Sequence, residues 1–108
     1  MASTFKNYIT NNIGLANTVV YTANSTVTAT IIGLTLSNLT ASDIKVSLFL
    51  TSGANTAYVV KDAFIPTGSA LVPVGGDQKL VLESTDSISV FSNTASSVDA
   101  ITSVLELS

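Results

Sequence analysis

Between Ile44 and Thr51 apolar and polar side chains alternate without a break. Ile44, Val46, Leu48 and Leu50 lie on one side, and Lys45, Ser47, Phe49 and Thr51 on the other. A period of two belongs to a β-strand with one buried face; a helix would scatter those four aliphatic residues around its axis. Thr26 to Leu36 alternates as well, but its phase slips at Ile31-Ile32-Gly33. Val27, Ala29 and Ile31 share one face, while Ile32, Leu34 and Leu36 would share the other. A β-bulge at the slip returns both sets to one core, and glycine is a common bulge marker.

Further strands are predicted over residues 18–22, 57–61, 69–74, 78–83 and 87–92. Turn chemistry separates them at Ser52-Gly53-Ala54-Asn55, Pro66-Thr67-Gly68, Gly75-Gly76-Asp77 and Ser84-Thr85-Asp86. The two glycines read as a tight hairpin between Val74 and Gln78. No GxGxxG or GKS/T pattern follows them, so they are no phosphate cradle. The last segment fits two readings. Ser97 would cap a helix with Val98, Ile101 and Leu105 on one face, or Ile101, Ser103, Leu105 and Leu107 alternate as a strand; the β-rich context favours the strand. Many short, evenly spaced strands predict an all-β fold. The expected form is one antiparallel sandwich over residues 1–108, Ig-like or jelly-roll-like, with seven to nine strands. Residues 1–12 would form an N-terminal arm, followed by a loop at Asn11-Asn12 and Gly14.

Composition then removes whole classes of chemistry. The 108 residues include no Cys, His, Trp or Arg, and only Lys6, Lys45, Lys61 and Lys79 are basic. Disulfides, thiolate metal sites and imidazole bases are therefore excluded. A net charge of −3 without arginine speaks against nucleic acid. No apolar stretch approaches the ~20 residues needed to span a bilayer, and Met-Ala-Ser-Thr-Phe-Lys-Asn-Tyr has no signal-peptide core. No membrane is expected, and synthesis in a cytoplasm is. Only 10% of residues are charged, against roughly 25% in ordinary domains. Ser, Thr and Asn supply about 35% instead. Low charge leaves strand edges poorly guarded, a property suited to permanent assembly.

Few residues suggest catalysis. Ser47 shares a strand face with Lys45, the best dyad a chain without histidine offers. Glu83 and Asp86 flank one turn, but a convex, solvated turn does not raise a carboxyl pKa as an acid catalyst requires; Asp86 is expected to bond backbone amides. Asp43, Asp62 and Asp77 stand too far apart for a calcium loop. No cofactor, metal or catalytic residue is expected. The sequons Asn24-Ser25-Thr26 and Asn38-Leu39-Thr40 match what chance gives in so Ser/Thr-rich a chain. What remains is surface: Phe5, Tyr8, Phe49, Phe91, Ile101, Leu105 and Leu107 are the candidate interface residues.

The stretch Gly75-Gly76-Asp77-Gln78-Lys79-Leu80-Val81-Leu82-Glu83, continuing through Asp86-Ser87-Ile88 to Ser96-Ser97-Val98-Asp99-Ala100-Ile101, resembles small virion proteins of tailed bacteriophages, notably those of aquatic and cyanobacterial phages. The opening Ser3-Thr4-Phe5-Lys6-Asn7 and Tyr58-Val59-Val60-Lys61-Asp62-Ala63 are similar too. The resemblance implies a β-sandwich subunit located in the virion, without enzymatic activity. The expected role is capsid decoration, or cement, as a homo-oligomer (a trimer by preference) on the major capsid protein. Segments 1–12 and 98–108 would make the contacts. A neck, collar or tail accessory subunit is the alternative. A carbohydrate-binding adhesin is the rival of another class, with only Tyr8, Tyr21 and Tyr58 to stack on sugars in the absence of Trp.

Overall fold

The computed structural model describes residues 2–75 and 79–108, and every regular element among them is a strand. The strands are β1 (Ser3–Ile13), β2 (Thr18–Thr22), β3 (Thr28–Asn38), β4 (Ile44–Ser52), β5 (Asn55–Ile65), β6 (Ala70–Val74), β7 (Leu80–Leu82), β8 (Ser87–Ser92) and β9 (Val98–Leu107). They form two antiparallel sheets. Sheet A has the order β1-β9-β3-β6, with β7 also on β3; sheet B has the order β2-β8-β4-β5. Apart from β4–β5 and β6–β7, successive strands change sheet. With β6 and β7 counted as one interrupted strand, this is the strand order of a jelly roll.

Each inner face is built by alternation. Ile31, Leu34 and Leu36 of β3, Ile44, Val46 and Leu48 of β4, Ile88 and Val90 of β8, and Val98, Ala100 and Val104 of β9 are buried together. The phase slip in β3 is the expected bulge. Ile31 lies opposite Val104 and Gly33 opposite Ser103, which leaves Ile32 as the extra residue. Burying a leucine stabilises by roughly 1.5–3 kcal/mol, so the slip is fixed by keeping Leu34 and Leu36 inside.

Two expectations need correction. Residues 1–12 are no arm: β1 pairs with β9 from Ser3↔Leu107 to Thr10↔Ala100, and Asn12, with a φ of 57°, marks a bulge before Ile13 rather than a loop. The segment after Ser97 takes the favoured form, strand β9, because pairing on both sides, with β1 and β3, satisfies its backbone better than an isolated helix would. The strands on either side of Gly75-Gly76-Asp77 are not the two arms of a hairpin. β6 and β7 both run antiparallel to β3, β7 against Ala29–Ile31 and β6 against Leu34–Ser37, so they point the same way along one edge. Residues 76–78 lie outside the described residues.

The turn at Gly53-Ala54 is a two-residue hairpin joining β4 to β5, with Ser52 opposite Asn55. Gly53 has a φ of +60°, the conformation that favours glycine at the first position of such a turn. Asn38 ties three segments together. Its Nδ2 donates to the carbonyls of Ser42 (2.8 Å) and Ile65 (2.9 Å), and its Oδ1 accepts from the Thr40 amide and hydroxyl, both at 2.8 Å. The sequon at Asn38 is thereby a buried turn, its amide nitrogen already committed.

Candidate interaction surface

The strand register gathers apolar side chains on the outer face of sheet A. Phe5 lies opposite Leu105, Leu105 opposite Thr30, and Thr30 opposite Val81. A second row runs from Ile9 through Ile101 to Thr35. Between them a row of small residues, Asn7, Ser103 and Gly33, leaves a hollow of about 260 Å³ beside Phe5 and Ile32. Phe5 is 73% exposed and Ile9 65%, and Val81, Ile101 and Leu107 also face solvent. Among the outward positions of β1 and β9 the only charge is Asp99. Lone exposed apolar residues are ordinary; rows of them on a face with so little charge mark an interaction surface.

Of the candidate residues, Phe5, Ile101, Leu105 and Leu107 come together on this face. Tyr8 does not, because it points inward. Its ring centroid stands 5.1 Å from that of Tyr21, and both phenols donate to Oε2 of Glu106, Tyr8 at 3.2 Å and Tyr21 at 2.6 Å. Lys6 Nζ meets the other carboxylate oxygen at 3.3 Å. This clasp joins β1 and β9 of sheet A to β2 of sheet B. Burial and the Glu106 carboxylate push the Tyr21 phenol far above its usual range, and push that of Tyr8 upward as well. The hydrogen bond from Tyr21, with those from Lys6 and Tyr8, outweighs desolvation and holds the Glu106 carboxyl below its usual range.

Phe49 and Phe91 lie on the outer face of sheet B, with ring centroids 6.3 Å apart. Tyr58 extends the cluster at 5.6 Å from Phe49. Lys61 Nζ sits 5.2 Å from the Tyr58 ring centroid, and Lys45 Nζ 5.2 Å from that of Phe64. Ile9, Tyr58, Phe64, Val72 and Val81 were not among the sequence candidates. The spacing Phe5-x-Asn7-x-Ile9 signals Ile9 once β1 is read as a strand; Val72 and Val81 have no such signal, because the path of β6 and β7 along β3 is a long-range fact.

The catalytic candidates are spent on structure. Ser47 Oγ accepts the Asp62 amide at 3.0 Å, closing an irregularity in the β4–β5 pairing where Asp62 has a φ of 52°. Lys45 turns to Phe64 instead. Asp86 accepts the Glu83 amide at 3.0 Å, as expected of turn chemistry. Both acids line an open hollow of about 900 Å³ with Ser52, Gly53 and Thr85 at one end of the sandwich. Asp43 accepts the Thr67 amide, and Asp77 lies outside the described residues. Among the described residues no cluster of three metal-ligating side chains occurs, and no helix is long and apolar enough to cross a membrane.

No family model matches the chain, and no curated protein sequence matches it. A solved structure of Bacillus endospore appendages, a family of disulfide-linked pili, is similar in fold. It has a TM-score of 0.58 at 14% identity, over 98% of this chain and 88% of that one. At that identity the likeness concerns the sandwich alone. The disulfide links of those pili have no counterpart here, since the present sequence has no cysteine.

Proposed function

We propose that the chain is a non-enzymatic structural subunit that works by assembly. The observation that carries this reading is the outer face of sheet A, where Phe5, Ile9, Ile101, Leu105 and Val81 form uncharged, solvent-facing rows. Burying such rows removes apolar area from water without desolvating charge. That the fold is shared with a pilus-forming protein is in keeping with the idea. The resemblance to phage virion proteins supplies the setting: a capsid decoration subunit on the major capsid protein, with a neck, collar or tail position as the alternative.

Quantitative mass spectrometry of purified particles tests the proposal. Capsid decoration predicts on the order of hundreds of copies per particle, and a neck or tail position a small multiple of its ring symmetry. Particles lacking the chain should burst at lower temperature. Absence from purified particles would overturn the virion setting. The adhesin reading is weaker, because Tyr8 and Tyr21 are occupied by Glu106 and Lys61 covers the ring of Tyr58.

A further inference from the structure

The four sheet edges of the sandwich are not equally protected. On sheet B, β2 has only five residues and a register shift between Val19 and Tyr21. β5 carries irregularities on both sides of Val60, with the left-handed Asp62 and the charged Lys61 among them. On sheet A, the far edge is split into β6 and β7, and β6 contains Pro73. Short strands, bulges, charges and prolines are the devices that keep edges from pairing. β1 has only one of them between Ser3 and Thr10, the charge of Lys6. Eight consecutive residues pair in register with β9, with no proline or glycine, and the single charge, Lys6, is held inward by Glu106. Every second residue along this stretch directs its N–H and C=O to the open side.

We propose that β1 pairs with β1 of a second copy, antiparallel across a two-fold axis, joining two A sheets into one. The inference rests on the assembly reading above and names its partner. The partner is a second copy because β1 is the least guarded edge among the described strands, and only self-pairing lets that edge serve both molecules. Keeping the two apolar faces on the same side requires the axis to pass through a residue rather than between residues, and the middle of Ser3–Thr10 offers Lys6 or Asn7. Centring on Lys6 sets like charges opposite each other, which is unfavourable. Centring on Asn7 sets Phe5 opposite Ile9 of the second copy, Lys6 opposite Tyr8 and Thr4 opposite Thr10. The apolar rows then run on across the junction. A three-fold ring, the sequence-based preference, would need each β1 to find one of the guarded edges.

The chain's freedom from cysteine makes the test direct. Asn7→Cys places the new thiol on the axis, within disulfide reach of its counterpart. Thr4→Cys places it about 20 Å from its counterpart. Mild oxidation should cross-link N7C into a dimer and leave T4C monomeric, while the unmodified protein sediments at twice its 11.1 kDa. Phe5→Lys with Ile9→Lys opposes like charges at both ends and should weaken the dimer roughly tenfold or more; Phe5→Lys with Ile9→Glu should restore it. All four positions are exposed, so folding is not at stake. A dimer or larger species in which N7C fails to cross-link, or T4C cross-links equally, overturns the β1 pairing and leaves assembly standing. A trimer mass overturns the two-fold. A monomer at every concentration overturns the β1 pairing, while assembly on a different protein is decided by the copy number in purified particles.

Discussion

Tyr21 of β2 donates its phenolic hydrogen to Glu106 of β9 across a 2.6 Å contact that bridges the two sheets. Both groups are nearly enclosed: Tyr21 is 4% exposed and the Glu106 side chain 12%. A hydrogen bond to a charged group in such a place is worth roughly 1.5–3 kcal/mol. Tyr21→Phe should therefore lower unfolding free energy by about that amount in urea titrations, with little change in slope. Tyr8→Phe should cost less, because its bond is longer and its position less enclosed.

The same clasp gives stability a pH dependence at both ends. The Glu106 carboxyl is held below its usual value of 4.5, so its contribution is complete above that value and is lost as pH falls toward the lowered folded value. The Tyr21 phenol is pushed above its usual 10.0, so the folded state keeps a proton that the unfolded chain releases. Stability is complete below pH 10.0 and falls as pH rises above it. Urea midpoints measured across pH should decline on both flanks. Tyr21→Phe should shrink the alkaline decline, leaving the smaller part due to Tyr8.

Ile32 is the extra residue of the β3 bulge, and its deletion should be tolerated. Joining Ile31 to Gly33 makes a regular strand in which Ile31, Leu34 and Leu36 still face inward, opposite Val104, Thr102 and Ala100. Deleting Thr35 instead turns Leu34 outward and Gly33 into the core if Ile31 and Leu36 are to stay inward. Thermal melts should show a modest loss for the first deletion and no cooperative transition for the second.

Asp62 holds a φ of 52° without being glycine, a cost of about 1 kcal/mol. Asp62→Gly should relieve it and raise the urea midpoint. Ser47→Ala strands the Asp62 amide and should lower stability by about 1–3 kcal/mol.

The inward residues were legible in the sequence because alternation reports burial directly. Ile44 through Leu50 read correctly, and so did the slip at Ile31-Ile32-Gly33, since a phase change in a buried strand has one economical explanation. The strand at β9 was favoured by its context. Pairing partners were less legible. Nothing local to Ser3–Thr10 says that it lies beside Leu107–Ala100, so the first segment read as an arm and Tyr8 as a surface residue. Glu106 passed unnoticed because a lone carboxylate near the end of a strand gives no sign of two tyrosines 98 and 85 positions away. The glycine pair after Val74 suggests reversal, and nothing local reports that β6 and β7 run the same way along β3.

Hydrogen–deuterium exchange followed across a protein concentration series tests the central claim, assembly through sheet A, most directly. The account predicts that peptides covering Ser3–Thr10 gain protection as concentration rises, while those covering the guarded β5 edge, Asn55–Ile65, exchange at an unchanged rate. Unchanged exchange along β1 at the highest concentration, or protection appearing on β5 alone, would contradict it.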